Sequence, residues 1–233
     1  MKAKVIGFIN RKGGVGKTTL SICVATALTL GEQKYRVLLI DADTQRSAMK
    51  WVNRRETDPL FPVVGLPTEM IHREVKHHLT NYDYIIIDGP GEIGAITRSI
   101  VLASDVLLIP MGPSPVDIEA TEDVLSLLEQ AKPFKEAMDQ EIRVAFVVAK
   151  KDSRTALGRD IVEALSVYQQ PVEPRTIPVG TLNTHICTRV VHAESAATGQ
   201  SPLEVEPTGK AAAEIIALTI EILKFADGQS IEA

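Results

Sequence analysis

The stretch Phe8–Leu20, "FINRKGGVGKTTL", decides the fold. It follows the apolar run "KVIGFIN" and leads into a helical pattern from Lys17 to Leu30 that Gly31 closes. A strand, a glycine-rich loop and a helix in that order form a phosphate cradle. Gly13, Gly14 and Gly16 remove side chains, so the backbone N–H groups of the loop, Val15 included, can wrap an anion where the helix dipole also favours one. Lys17 is placed to neutralise β- and γ-phosphate oxygens and the Thr18 hydroxyl to ligate magnesium, with Thr19 completing the nucleotide-binding set. Against the pattern G-x-x-x-x-G-K-[ST], Arg11 stands where the first glycine belongs, and a second lysine, Lys12, follows it.

Outward from this loop, the apolar runs "YRVLLID", "DYIIIDG", "DVLLIPM" and "IRVAFVVAK" alternate with helical patterns. Continuous apolar strands separated by helices are what a parallel sheet covered on both faces requires. The expected fold is therefore α/β, a doubly wound and mainly parallel sheet with helices on both faces. After Lys17–Leu30, helices are expected at about 47–55, 69–79, 95–103, 116–131, 155–168 and 208–225. In the last, Lys210, Glu214, Ala217, Glu221 and Lys224 share one face, with Ile215, Ile216, Leu218, Ile222 and Leu223 around the other. The proline-rich stretches "MGPSPVD" and "QQPVEPRTIPVG" read as loops. No repeat or linker divides the chain, so 1–233 is expected to be one domain.

In open parallel sheets ligands bind beyond the carboxyl ends of the strands, and two acidic segments fall there. "LLIDADTQRS" ends a strand at Asp41 and presents Asp43 from the next loop, where a carboxylate can orient an attacking water or cap the following helix. "YIIIDGPG" places Asp88 at a strand end, suited to a magnesium shell, and Gly89-Pro90-Gly91 makes a loop able to rearrange with the γ-phosphate.

The whole chain sets limits on these readings. It has 233 residues, net charge −5 and only 4% aromatic residues. That charge argues against a globally basic coat for nucleic acid but leaves a local patch open. Cys23 and Cys187 lie far apart, which favours neither a disulfide framework nor zinc and fits a reducing cytoplasm. No run approaches the ~18–20 apolar residues that span a bilayer. The start of the chain leaves no room for a signal peptide. His72, His77 and His78 in "HREVKHH" lack the i, i+4 spacing of a helical zinc pair and read as a solvated face.

Taken together, "KGGVGKTT", "DADTQ", "IIIDGPG" and "SDVLLIP" resemble the deviant Walker A ATPases, most closely the small ParA-type partition ATPases of plasmids. The likeness runs from Lys4 to the final helix. It implies a weak magnesium-dependent ATPase that dimerises around two ATP molecules. Lys12 would reach the partner's phosphates, Lys17 would serve its own, Asp43 would position the hydrolytic water, and Thr18 and Asp88 would serve magnesium. It also implies a nucleoid-associated protein with a centromere-binding adaptor, which binds non-specific DNA while ATP holds the dimer. Thr44 stands where the family often has proline, and the D-x-P-P loop appears as Asp88-Gly89-Pro90-Gly91. Because "FVVAK" lacks an asparagine that many relatives carry, the resemblance points to the backbone at Pro178–Val179 for adenine.

Basic candidates for DNA phosphates are Lys151, Arg154, Arg159, Arg189 and Lys210, contacts that should weaken steeply with salt. The chain starts at its first strand, so an N-terminal helix-turn-helix extension is not expected. A MinD-like membrane-positioning ATPase is the alternative, disfavoured by a final helix whose lysines are balanced by glutamates and by the acidic "DGQSIEA". A metabolic ligase such as dethiobiotin synthetase shares the fold. Cys23, inside the first helix, is expected to pack in the core rather than to hold an iron–sulfur cluster.

Overall fold

The computed structural model describes residues 2–113, 115–151, 161, 163, 165–170 and 176–229. Its centre is a parallel sheet built from β1 (Lys4–Phe8), β2 (Val37–Asp41), β3 (Val63–Gly65), β4 (Tyr84–Asp88), β5 (Val106–Met111), β6 (Arg143–Lys151) and β7 (Val179–Thr181). The order across the sheet is β3-β2-β4-β1-β5-β6-β7, and the two-residue β8 (Ile186–Cys187) pairs with β6. The five long strands are the five apolar runs of the sequence. β3, β7 and β8 escape such a reading because two or three residues carry no periodicity.

Strand β1 lies between β4 and β5. The chain leaves β1 toward β2 on one side and later crosses from β4 to β5 on the other. This reversal opens a crevice at the carboxyl end of β1, where a doubly wound sheet binds its ligand. Side chains alternate between two cores. Ile85 and Ile87 face the layer of α4 (Ala95–Ala103) and α5 (Pro115–Ala137), whereas Ile86 faces α1 (Lys17–Leu30) and the final helix, Lys210–Ala226.

Helices α1 and α4 have the expected bounds. α2 is shorter, Ser47–Val52, and α3 is a single turn, Ile71–Glu74, that tightens into a 3-10 turn at Val75–His77. α5 is longer than expected at both ends. Pro115 takes its first position, where a missing N–H costs nothing, and the helix continues through Pro133 to Ala137. The 155–168 helix falls largely outside the described residues, which include a 3-10 turn at Ser166–Tyr168. The stretch read as the loop "QQPVEPRTIPVG" contains the start of β7. A helix at Val190–Ala197 and a turn of helix at Pro202–Val205 were not anticipated.

The final helix departs from its expected faces. Ile216 is 43% exposed, while Ala211, Ile215, Leu218 and Ile222 are buried. Glu214 and Glu221 turn toward the protein: Glu214 accepts from the Cys187 N–H, and Glu221 from the N–H groups of Asn183 and Thr184. The balance of lysine and glutamate read from the sequence is therefore not a surface balance. No described helix is long and apolar enough to cross a membrane.

Candidate functional site

The loop between β1 and α1 shows why its glycines are needed and why Arg11 is not one of them. Gly16 has φ 102° and Gly14 φ 73°, left-handed values that suit glycine, whereas Arg11 is not among the residues with positive φ. Its turn is closed another way. Asn10 Oδ1 accepts the Lys12 N–H at 3.0 Å, an Asx-type turn that any residue can occupy at its middle position. No side chain caps α1, so its first-turn N–H groups are left for an anion.

Lys17 is only 7% exposed, and its Nζ donates to the carbonyls of Asn10 at 3.0 Å and Lys12 at 3.1 Å. Burial pulls its pKa down, and the nearby charges of Asp88 and Asp43 offset part of that. A Cβ added to Gly91 would lie 3.9 Å from this ammonium, so the loop after β4 closes over the same point.

Asp88 ends β4 in register with Asp41 on β2 and Phe8 on β1. It is fully buried, and neither carboxylate oxygen has a hydrogen-bond partner among the described residues. Burial raises its pKa to about 7, helped by Asp41 and opposed by Thr18, Lys17 and Ser21. The Thr18 and Ser21 hydroxyls lie near enough to favour the charged form without making a close hydrogen bond, and a buried carboxylate beside the Thr18 hydroxyl is a hard oxygen pair, which fits magnesium. Gly89 has to be glycine, because a Cβ there would meet the Phe8 carbonyl at 2.6 Å.

Asp41 and Asp43 differ in what they bond. Asp41 is buried, its Oδ2 accepting the Met49 N–H at 2.9 Å, and so it serves the first turn of α2. Asp43 is half-buried in the loop, where it accepts from the Gln45 N–H at 2.8 Å. The crevice thus gathers Lys12, Gly13–Thr19, Asp43 and Asp88.

It does not gather Pro178 and Val179. Val179 is in register with Val144, near the start of β6, whereas Met111 at the end of β5 is in register with Val148. Pro178 and Val179 therefore lie toward the amino end of β6, away from the glycine loop. The segment beside the loop is the end of β6: an added Cβ on Gly16 would lie 3.7 Å from the Ala149 Cβ, and Ala149 pairs with Ile186 of β8. Lys150 has φ 55° and the register slips there, a bulge of the kind that re-aims strands at sites. Only the register of β7 reveals this, because a three-residue strand leaves no mark in the sequence.

Arg154 and Arg159 lie outside the described residues, and Lys151 ends β6. Arg189 is committed to an ion pair with Glu214, and Lys210 is exposed at the start of the final helix. Of the other sequence candidates, His72 bonds Ser99 Oγ through Nδ1 at 2.8 Å. Cys23 is buried in α1, its thiol pKa pushed up to about 12 by burial.

The model of the CobQ/CobB/MinD/ParA nucleotide-binding domain matches residues 6–203, most of the chain and all of this crevice. The chain belongs to that family. Among its relatives, the maintenance of carboxysome distribution protein A of Halothiobacillus neapolitanus is 30% identical over 218 residues, 92% of this chain and 94% of that protein. The sporulation initiation inhibitor protein Soj of Bacillus subtilis is 27% identical over 78% of this chain and 88% of its own length. The crystal structure of a plasmid partition protein from Borrelia burgdorferi, bound to AMPPNP, superposes with a TM-score of 0.70. It is 19% identical, with 96% of this chain and 100% of that one covered, and at that identity the likeness concerns the fold. The chain is a ParA-type ATPase by family, and the matched nucleotide-binding domain includes the whole crevice.

Proposed function

We propose that this ParA-type protein hydrolyses ATP with magnesium, as a dimer that binds non-specific DNA and lets go when a centromere-binding adaptor stimulates hydrolysis, so segregating a plasmid. The observation that carries the reading is Lys12 beside a complete Lys17–Thr18 loop, with a buried carboxylate, Asp88, that makes no close hydrogen bond at the neighbouring strand end. Thr18 and Asp88 would hold magnesium, which supplies charge neutralisation of the terminal phosphates. Lys17 exchanges its two carbonyl partners for phosphate oxygens, Asp43 orients water from its loop, and Lys12 completes the partner's site. The end of β6 at Ala149–Lys151, with β8 beside it, flanks the base. Lys210 is exposed and is a candidate for DNA phosphates, with Lys151, Arg154 and Arg159 as further candidates.

A second cargo has a specific observation behind it. The relative that is 30% identical along 92% of this chain is named for carboxysome distribution, so the same engine could carry a protein compartment over the nucleoid. Both cargoes require DNA binding that depends on ATP. The deciding measurement is DNA co-sedimentation with Mg-ATP, Mg-ADP and no nucleotide across a salt titration. ATP-dependent binding that weakens with salt, and is lost in Lys12→Ala together with the dimer, is expected. Binding to anionic vesicles without binding to DNA would replace this reading with a membrane-positioning one. Plasmid retention against carboxysome spacing in deletion strains then separates the cargoes.

A further inference from the structure

The residue that organises the two signature lysines is Asn10, to which neither the sequence pattern nor the family likeness assigned a role. Asn10 is fully buried at the end of the first apolar run. Its side-chain Nδ2 donates to the Pro110 carbonyl of β5 at 2.7 Å, and its Oδ1 accepts the Lys12 N–H at 3.0 Å. The two partners fix the orientation of the amide, since a main-chain N–H can only donate and a carbonyl can only accept. Its own main-chain carbonyl accepts from Lys17 Nζ at 3.0 Å, beside the Lys12 carbonyl at 3.1 Å. One residue therefore anchors the loop to the next strand, holds the backbone of Lys12, and shares the ammonium of Lys17.

We propose that Asn10 is a positioning residue for both lysines: its amide fixes the Lys12 backbone against β5, so that the two carbonyls holding Lys17 stand where the incoming phosphate must replace them. This rests on the ATP-binding reading above. The chemistry required is narrow. The group must donate at one end and accept at the other across a fixed span, and be buried without charge. Aspartate would set an oxygen against the Pro110 carbonyl and place a charge in a fully buried site. Serine could still accept the Lys12 N–H in an ST-type turn but would not reach Pro110, and alanine does neither. The same amide accounts for the tolerance of Arg11, because the turn is closed by a side chain and not by a left-handed glycine.

The test uses the full chain with Mg²⁺ and a fluorescent N-methylanthraniloyl ATP as probe, alongside thermal unfolding. Asn10→Ala is expected to remain folded and to bind the probe about tenfold more weakly, with Asn10→Ser in between, the size of one or two lost buried hydrogen bonds. The decisive readout is a double-mutant cycle. In a Lys17→Ala background, which retains weak probe binding, Asn10→Ala should change affinity less than about twofold, because its effect passes through that lysine. Equal losses in both backgrounds, unchanged affinity in Asn10→Ala, or loss of cooperative unfolding in both Asn10→Ala and Asn10→Ser would overturn the assignment and leave Asn10 as a packing residue. If the unmodified protein itself fails to bind the probe, it is the nucleotide reading that falls.

Discussion

Two lysines are buried among the described residues, Lys17 and Lys135, and each gives its ammonium to a pair of main-chain carbonyls. Lys135, 3% exposed on α5, donates to Ser104 at 2.7 Å and Leu102 at 3.4 Å, the carbonyls at the carboxyl end of α4. Burial lowers both pKa values, that of Lys135 to about 8. Their local bonds are nearly the same, yet their surroundings differ. The partners of Lys17 sit in a glycine loop below an uncapped helix N-terminus, with Asp43 and Asp88 close by. Those of Lys135 terminate a helix at the opposite edge of the sheet, where a cation satisfies carbonyls that the helix leaves open. A buried lysine on carbonyls is thus no functional signal by itself. What distinguishes Lys17 is that its partners can be exchanged for an anion.

The sharpest way to break this comparison is to remove each ammonium. Lys17→Ala should weaken nucleotide binding by about a hundredfold, the loss of charge-assisted bonds to phosphate, while leaving the fold intact by circular dichroism. Comparable binding by the variant, measured by calorimetry, would make Lys17 structural like its counterpart.

Asp88 sharpens the contrast through pH. Its folded pKa of about 7 lies above the unfolded value, so the folded state holds a proton that the unfolded state has lost between about pH 4 and 7. The stabilising contribution is complete below the unfolded pKa and is lost as pH rises through about 7. Without nucleotide, Asp88→Asn should therefore be more stable than the parent at pH 8, by roughly 4 kcal/mol, and the gap should close toward pH 4 in thermal melts. Mg-ATP should raise the melting temperature of the parent more than that of the variant, reversing the order. A gap independent of pH would remove the buried carboxylate from this account.

Lys135→Met is the structural mirror. It keeps volume but leaves the Ser104 carbonyl without its donor, so a loss of roughly 1–3 kcal/mol in denaturant unfolding is expected, with nucleotide affinity unchanged within about twofold. The smallest effect belongs to Arg11→Ala, which removes an exposed ion pair with Asp123. At most about 1 kcal/mol of stability should go, and nucleotide binding should persist, because Asn10 and not residue 11 closes the turn.

Much of the site was legible in the sequence because its parts are local. A glycine loop between strand and helix, and acids at the ends of apolar runs, depend on neighbours a few residues away. Asn10 stood in the stretch that decided the fold, yet its meaning required the β5 carbonyl of Pro110, one hundred positions along the chain. The exposure of Ile216 and the inward turn of Glu214 and Glu221 likewise depended on which loops pack against the final helix. The distance of Pro178 from the glycine loop was hidden for the same reason, since it could be placed only by the register of β7 on β6.

The sequence by itself determined the parallel α/β sheet and marked the phosphate loop, Lys12, Lys17, Asp43 and Asp88 as candidates, because period, glycine placement and strand-end acids are short-range properties. The tertiary structure decided which edge of the sheet each loop occupies, which charges are already paired, and how one buried amide ties both lysines to the neighbouring strand. Those are facts of register and packing, set by residues distant in the chain.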